Sequence, residues 1–487
     1  MDMRTIFAVL AAGALAGCGV GGLGQSSTPA PITERPATFE GPVAKAVCQP
    51  DDAVETGIQG QVPQSDRIST RASEGYNCNL SRIGQFDNNG EGAGWQHAWY
   101  EDCSYMGLAI NTASDGTRVP RPGQQNTGVA VIDVADPTAP VSTTYLASIS
   151  MSDPWESLKV NERRELLADV NAATGGSNGG PEIDIYDISV DCKAPALLAS
   201  VPIGESKGHA GHFAPDGLTY YGSPISAGII KAVDISDPTQ PVLLKEEFLL
   251  GTHDLSISQD GTRAYLANNG GNGLAILDVS QVQQRKPNPV DRIIGEVYWT
   301  DGSTAQMTQR MTIGGKPYIL FVDELMQGAA RIIDISDETK PFIASKLKLE
   351  VQMPENDQVI SGDQGSAPFG YDGHYCTASD GINDSTTYDV ENAIIAVCSY
   401  FDSGLRVFDI RNPYLPKEIA YYIPPTLPGA RVSSYYNLGG SCGAVDWASA
   451  HPRVIPARNE IWFTTQCNGL HIVRFEKPLA ELLGPAP

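Results

Sequence analysis

The sequence comprises 487 residues, carries a formal net charge of −24 and has a pI of about 4.6. So acidic a chain lacks the clustered lysines and arginines on which nucleic-acid binding depends, which argues against a nucleic-acid partner. Beyond the N-terminal region, no apolar run is long enough to cross a bilayer as a helix, which takes about 20 residues.

The N-terminus has the three-part pattern of a secretory signal peptide. Arg4 precedes an apolar run over residues 6–16, and small residues precede Cys18. Because the run is too short to span a membrane, we expect residues 1–17 to be cleaved off. Residues 15–18 (Leu-Ala-Gly-Cys) resemble a bacterial lipobox, and the resemblance implies that a diacylglycerol is attached to Cys18. The alternative is an ordinary signal peptide that happens to precede a cysteine.

The residues after Cys18 indicate where the protein is held. Gly19 follows the cysteine in place of the Asp that would suggest retention at an inner membrane. We therefore expect a lipid-anchored protein on the outer face of a bacterial membrane, with an outer membrane or the cell surface favoured over the cytoplasmic membrane. Residues 18–45 are rich in Gly, Ser, Thr and Pro and are predicted to form a flexible tether. The folded domain is expected over residues 46–480.

A repeated phrase of alternating, mostly β-branched residues runs through this domain. Six copies end in Asp and a seventh ends in Arg, and they occupy residues 128–133, 183–187, 229–234, 273–278, 330–334, 404–409 and 469–474. The alternation predicts a β-strand, and the turn residues that follow most copies predict where the strand ends. Each unit is predicted to have two further strands before the phrase and one after it.

Seven units of four antiparallel strands, repeated about every 45–75 residues, predict an all-β fold, namely a seven-bladed β-propeller. The last unit lacks a fourth strand, because the chain ends soon after residue 475. Residues 79–86 have the pattern of an unpaired outer strand, so we predict that they complete the last blade and close the ring. Residues 155–170 are predicted to form strands of the second blade rather than a helix.

The repeated phrase resembles the LVIVD repeat, which is named for a strand that ends in Asp. The similarity extends over residues 79–475, and the number of copies makes it specific for the fold. The resemblance implies a bacterial or archaeal surface protein with a propeller fold, and it implies no particular activity.

Most histidines fall at the start of a predicted innermost strand. These residues are His97, His209, His253, His374 and His451. We expect them to gather around one mouth of the central channel, where they could hold a divalent metal ion, with Asp254 or Asp372 as an additional partner. The simpler interpretation is structural, because a His at a strand start often bonds the backbone of the next blade and equivalent positions spread around a ring.

Eight cysteines remain besides Cys18, and an even number in an exported protein predicts up to four disulfides. No Cys-x-x-Cys spacing occurs, so a zinc ribbon or a thioredoxin-like site is not indicated. Two pairs are predicted. Cys376 would bond Cys398 across two strands of the sixth blade, and Cys78 would bond Cys467 and lock the ring.

The sequence contains none of the spacings of a nucleophile elbow, a phosphate loop or a dinucleotide-binding turn. We therefore expect a surface lipoprotein whose propeller is a binding or scaffold module for a protein or an envelope component. The alternative is a metal-dependent propeller enzyme, of oxidoreductase or lyase type, with its site in the histidine-lined channel. The fold cannot decide between them, since propellers support many activities.

Overall fold

The fold is a seven-bladed β-propeller in which each blade is built on a four-stranded antiparallel sheet, so the predicted fold class is confirmed. The computed structural model describes residues 37–92, 94–108, 111–112, 118–119, 125–172, 180, 182–224, 229–363, 370–427 and 442–486. Residues 1–36 lie outside this set, so the predicted signal peptide and the lipidation of Cys18 remain predictions.

Blades 1 to 4 follow one another along the chain, with the strands of each blade in sequence order from the channel to the rim. Blade 1 contains Gly94–Tyr100, Cys103–Leu108, Val129–Asp133 and Val141–Leu146. Blade 2 contains Lys159–Asn161, Leu166–Val170, Glu182–Asp187 and Ala196–Pro202. Blade 3 contains Ala210–Phe213, Thr219–Ser223, Lys231–Asp234 and Val242–Glu246. Blade 4 contains Leu255–Ile257, Arg263–Asn268, Gly273–Asp278 and Arg292–Tyr298.

Blades 5 to 7 complete the ring. Blade 5 contains Ser303–Ile313, Lys316–Leu325, Ala330–Asp334 and Phe342–Lys346. Blade 6 contains Gly373–Ser379, Ile395–Tyr400, Gly404–Asp409 and Lys417–Ile423. Blade 7 takes Arg453–Ile455, Glu460–Thr465 and Gly469–Phe475 from the C-terminus and Leu80–Phe86 from the N-terminal side.

The outer strand of blade 7 closes the ring as the sequence predicted. Leu80–Phe86 pairs antiparallel with Gly469–Phe475, so the two ends of the propeller domain share one sheet. The preceding strand, Tyr76–Cys78, adds a fifth strand to blade 6 by pairing with Lys417–Ile423. That addition was not predicted, because three residues are too few to show an alternating pattern.

The repeated phrase is the third strand of each blade, and its terminal Asp organises the turn that follows. The Oδ1 atoms of Asp133, Asp234 and Asp334 each accept a hydrogen bond from the backbone N–H two residues later, at 2.8–2.9 Å. In blades 1 to 6, the pairing between the third and fourth strands has a register shift just before this Asp. A bulge there increases the twist of the blade, which helps each sheet to pack on the next.

Helices are few and short among the described residues. They are Gln64–Ser69, Ser280–Gln283, Asp357–Ile360 and Leu479–Leu483, with 3₁₀ turns at Arg71–Glu74, Glu350–Gln352, Pro354–Asn356, Phe401–Ser403 and Pro456–Arg458. A two-stranded hairpin joins Asn111–Thr112 to Arg118–Val119. Within the described part of the chain, no helix is long and apolar enough to cross a membrane.

The predicted tether ends earlier than residue 45, so that boundary is corrected. Phe39 forms a parallel bridge with Ser345 at the rim of blade 5, and the Val43 N–H donates to Lys348 O at 2.8 Å. Ala44 forms a bridge with Lys417 in blade 6, and Val43 is buried. This segment therefore packs along blades 5 and 6, because its backbone groups can form hydrogen bonds with those of their outer edges.

All eight cysteines after Cys18 form disulfides, but one predicted pair is wrong. Cys376 and Cys398 are directly opposite in blade 6 and are bonded. The predicted Cys78–Cys467 bond is absent from the described structure: Cys78 bonds Cys48, and Cys467 bonds Cys442. The reason is that Cys78 lies on the strand added to blade 6 and not on the closing strand of blade 7. The fourth bond joins Cys103 of blade 1 to Cys192 of blade 2.

Candidate metal centre in the channel

Four side chains from four different blades converge inside the channel. They are Glu156, His209, His253 and His374, which precede or begin the first strands of blades 2, 3, 4 and 6, and all four residues are buried. Glu156 Oε2 lies 3.3 Å from His209 Nε2 and 3.4 Å from His253 Nε2, and the two Nε2 atoms are 3.0 Å apart. Glu156 Oε1 lies 3.0 Å from His374 Nε2. Three imidazoles thus present the same nitrogen to one carboxylate.

The opposite ring nitrogens fix the tautomers of two of these histidines. His253 Nδ1 lies 3.1 Å from Gln306 O in the next blade, and His374 Nδ1 lies against Ser449 O. A carbonyl accepts only, so in both rings Nδ1 carries a proton; in the neutral ring of His253 the Nε2 lone pair then faces the channel. Such a second hydrogen bond is typical of histidines that bind metals, because it orients the ring and increases its basicity.

The spacing of these donors matches the shell around a single metal ion. Metal–nitrogen and metal–oxygen bonds of about 2.0–2.2 Å place neighbouring ligand atoms about 3.0–3.5 Å apart in octahedral or tetrahedral geometry. The separations of 3.0–3.4 Å between Glu156, His209 and His253 fall in that range. Two imidazoles and one carboxylate suit zinc, iron and other late first-row metals rather than calcium or magnesium.

The charges at this centre also favour a bound cation. Burial would raise the pKa of the Glu156 carboxyl, but His253, His209 and His374 hold it well below its usual range. Burial lowers the pKa of His253 to about 3. The neighbouring histidines lower it as well, and attraction to Glu156 opposes them only in part. The ionised Glu156 carboxylate attracts cations, and the uncharged His253 beside it offers a lone pair to a metal ion.

A second carboxylate, Glu324 of blade 5, borders the centre on the side of His374. Its Oε1 lies 3.7 Å from His374 Nε2, and burial raises its pKa to about 7 although His374 lowers it. The Gln306 amide lies 3.0 Å from the same nitrogen. Burial alone would lower the pKa of His374. The hydrogen bond to Glu156 and the electrostatic attraction to Glu156 and Glu324 outweigh burial, so the pKa lies above its usual value.

Tyr375 connects the centre to a further buried carboxylate. Its hydroxyl lies 3.3 Å from Glu156 Oε2 and 3.4 Å from Asp254 Oδ2. Burial raises the pKa of Asp254 to about 6, although Lys159, whose Nζ is 3.7 Å away, lowers it. Asp254 is thus near the centre, as the sequence suggested. Asp372 instead adjoins Glu324, and burial raises its pKa well above the usual range, with Glu324 adding to the effect.

An aromatic layer borders the centre on one side. Trp95 stacks on Trp155 at 4.7 Å between ring centroids and lies 5.3 Å from the His374 ring. Phe401 lies 4.8 Å from His374 and 4.6 Å from Trp447. These apolar rings exclude water from the histidines, which strengthens every electrostatic interaction between them.

The segment between the first two strands of blade 6 crosses the other end of the channel. Ser385 O accepts a hydrogen bond from Trp99 Nε1 of blade 1 at 3.1 Å. Thr387 O lies 3.2 Å from His212 Nε2 of blade 3, and the Tyr388 hydroxyl donates to Val160 O of blade 2 at 2.8 Å. This segment therefore joins four blades and closes the channel below the centre.

Two of the five predicted histidines do not belong to the centre. His97 Nδ1 lies 3.0 Å from His451 O and its Nε2 lies 3.1 Å from Ser104 Oγ. His451 Nδ1 lies 3.0 Å from Cys376 O. Both nitrogens of His97 are occupied within the protein, and burial lowers its pKa to about 3.

The contacts between blades show why these two histidines differ. In blade 1, Gln96 and not His97 donates to the next blade, at 2.8 Å from Gln96 Nε2 to Glu156 O. His253 makes the matching contact to Gln306 O. The prediction placed five histidines at one repeat position, and in blade 1 it is wrong by one residue. Because side chains alternate between opposite faces of a strand, His97 points away from the centre.

Comparison with known proteins agrees with this architecture. The repeat described as LVIVD matches residues 230–246, which hold the third and fourth strands of blade 3. This match and the seven-bladed fold support an LVIVD-repeat β-propeller. No curated protein is significantly similar to it in sequence.

Several solved structures are similar to this chain at low sequence identity. A hydrazine synthase chain from Kuenenia stuttgartiensis is 11% identical, with 79% of this chain and 96% of that chain covered and a TM-score of 0.47. The C-terminal WD40 domain of Sif2 is 10% identical, with 82% and 99% covered and a TM-score of 0.46. A protein from Lactobacillus plantarum is 14% identical, with 68% and 88% covered and a TM-score of 0.40. With TM-scores below 0.5, these structures give no information on activity.

Neither glutamate at the centre was predicted from the sequence. Glu156 stands three residues before the first strand of blade 2, where blades 3 and 4 carry a His close to the strand start. An alignment of the blades could have identified Glu156, since this acidic residue occupies the position at which blades 3 and 4 have a histidine. Glu324 ends the second strand of blade 5, and no pattern in the sequence connects it with the histidines.

Proposed function

We propose that the channel binds one divalent transition-metal ion through Glu156, His209 and His253, with His374 held against the other oxygen of Glu156, and that the protein is a metal-dependent enzyme of oxidoreductase or lyase type. The observation that carries this proposal is the convergence of three Nε2 atoms on one buried carboxylate. Three protein ligands leave further positions open on the metal, as a catalytic site requires.

The metal would supply Lewis-acid or redox chemistry when bound. The chain supplies the rest of the site. Glu156 balances the charge, the aromatic layer keeps water out, and the hydroxyl of Tyr375 bridges Glu156 and Asp254. Asp254, linked to Glu156 through this hydroxyl, is placed to accept or donate a proton at the centre.

Metal analysis of the full-length protein, purified in detergent and reconstituted with zinc, iron or manganese, tests the proposal. We expect about one equivalent of metal, and loss of most of it in His253→Gln and Glu156→Gln. His97→Gln is the matched control: it removes a buried channel histidine outside the centre and should retain the metal. A wild-type protein that takes up no metal under any of these conditions would overturn the proposal and leave the binding-module role.

We further propose that the protein is exported and anchored through a lipid on Cys18 to the outer face of a bacterial membrane, where it meets a protein or envelope partner. Export is supported by the four disulfides, which form in oxidising compartments. Radiolabelled palmitate should be incorporated into the wild-type chain and not into Cys18→Ser. Labelling that persists in the variant contradicts the anchor.

A further inference from the structure

Blade 2 contains a second cluster of buried acidic side chains, separate from the channel centre. Asp169 and Asp184 are directly opposite one another on the second and third strands, and neither is exposed to solvent. Side chains two residues apart share a face of a strand, so Asp169 lies with Leu167 and Asp184 lies with Tyr186. Leu167 and Tyr186 pack against blade 1, which places the two carboxylates between blades 1 and 2.

The segment between blades 1 and 2 wraps around Asp184. Asp184 Oδ2 accepts hydrogen bonds from Ser150 N at 2.8 Å, from Met151 N at 3.0 Å and from the Ser148 hydroxyl. Three donors on one oxygen stabilise an ionised carboxylate. Asp184 Oδ1 and both oxygens of Asp169 have no hydrogen-bond partner within the described residues.

Asp169 and Asp184 lie close together without a counter-charge among the described residues. Asp153, from the same segment, is close enough to act on Asp169: burial raises the pKa of Asp169 well above its usual range, and Asp184 and Asp153 raise it further. Glu182 lies on the same face of the third strand, and its Oε2 is also without a partner among the described residues. No Lys or Arg in the described part of the chain forms an ion pair with Asp169 or Asp184.

We propose that this cluster is a binding site for a hard divalent cation, specifically Ca²⁺, held by Asp169 and Asp184. Buried carboxylate oxygens without partners are the ligands that Ca²⁺ prefers, and the cluster contains no nitrogen or sulfur ligand for a transition metal. Like charges directly opposite on paired strands are destabilising, so a cation between them would relieve the electrostatic repulsion between the two carboxylates. The bound ion would tie the segment that leads to Glu156 to the strands of blade 2.

Thermal unfolding of the full-length protein, first treated with a chelator, tests this site. We expect Ca²⁺ at about a hundred times its dissociation constant to raise the Tm by about 4 °C, and Mg²⁺ to raise it less. Asp169→Asn should abolish the Ca²⁺ response and, in the chelator, raise the Tm above that of the wild type, because it removes the repulsion. Asp446→Asn is the matched control, since this buried carboxyl already receives hydrogen bonds from Thr465 and Cys467, and it should keep the Ca²⁺ response.

Terbium luminescence provides a readout that does not depend on stability. Tyr186 lies on the same strand face two residues from Asp184, so bound Tb³⁺ should be sensitised, Ca²⁺ should compete it away, and Asp169→Asn should lose the signal. His253→Gln should keep it, which separates this site from the channel centre. A wild-type Tm that is indifferent to Ca²⁺, with Asp169→Asn more stable under every condition, would show that the carboxylates share protons instead and would overturn the proposal.

Discussion

Buried arginines stand at one place in the repeated phrase, and their partners differ from blade to blade. In blade 5, Arg331 Nε lies 2.7 Å from Asp323 Oδ2. In blade 6, Arg406 Nη1 lies 2.9 Å from Glu418 Oε1, and its Nη2 contacts Glu55 of the N-terminal segment. Because Arg406 has no solvent exposure, its ion pairs fix the N-terminal segment to blade 6.

Replacing Arg406 should be costly because it leaves two buried carboxylates without a counter-charge. We expect Arg406→Met to lower the free energy of unfolding by about 3–5 kcal/mol, measured by denaturant titration. Arg292→Ala is the control: Arg292 forms an ion pair with Asp278 but is largely exposed, so its loss should cost less than about 1 kcal/mol. Equal effects of the two variants would show that the buried ion pairs of Arg406 contribute no more to stability than the exposed pair of Arg292.

The buried imidazole of His471 should make the free energy of unfolding depend on pH. Burial, with a smaller effect from Arg82, lowers its pKa to about 3, against an ordinary value of 6.5. Since the unfolded chain takes up the proton at higher pH than the folded chain, stability is lost as the pH falls from about 6.5 towards 3.

The pH effect of His471 can be isolated by a comparison with His471→Gln. Between pH 7 and pH 4.5, we expect the wild type to lose about 2.5 kcal/mol more of its free energy of unfolding than the variant does. The two proteins share every other titrating group, so the difference belongs to this imidazole. A difference between them that does not change with pH would refute the assignment.

At the level of strands and turns, neighbouring blades approach so closely that some positions admit only glycine. A Cβ added to Gly84 in the outer strand of blade 7 would lie 1.8 Å from Pro137 O, in the turn after the third strand of blade 1. Gly295, in the outer strand of blade 4, has the same relation to Glu338 O of blade 5, at 2.1 Å. The repeated Asp turn of one blade thus packs on the outer strand of the blade before it.

Gly84→Val should therefore weaken ring closure. We expect it to reduce the free energy of unfolding by about 1–3 kcal/mol or more, because the backbone of blade 1 must move to relieve the overlap. Arg82→Val, on the same strand but exposed, is the control and should have little effect. If both valines are tolerated alike, the contact with Pro137 does not limit closure.

The strands were predictable because their signals are local, whereas much of the candidate site was not. The alternating phrase and its Asp turn appear within about ten residues, and even the closing strand, Leu80–Phe86, could be recognised by its pattern. The fifth strand of blade 6 is too short to show one. At the channel, the sequence predicted that His209, His253 and His374 meet, but not that His97 points elsewhere, because a shift of one residue reverses the side chain.

On the scale of the whole molecule, the ring brings together residues that are far apart in sequence. Glu156 and His374 are in contact although they stand on blades 2 and 6. No local pattern encodes such a contact, since it depends on how all seven blades close. The disulfides follow the same logic: Cys376–Cys398 lies within one blade and was predicted, whereas the partners of Cys78 and Cys467 depend on where the N-terminal segment and blade 7 settle.

The bond between Cys103 and Cys192 joins two blades and should stabilise the ring more than the bond inside blade 6. Its residues are 89 positions apart, against 22 for Cys376 and Cys398. Because a longer loop restricts the unfolded chain more, replacing the first pair by alanines should cost about 1 kcal/mol more than replacing the second. Denaturant unfolding of the two double variants, each with the other three bonds verified by mass mapping, measures the difference. An equal or larger cost for the bond in blade 6 would mean that packing of the sulfurs in the core outweighs the entropy of the unfolded chain.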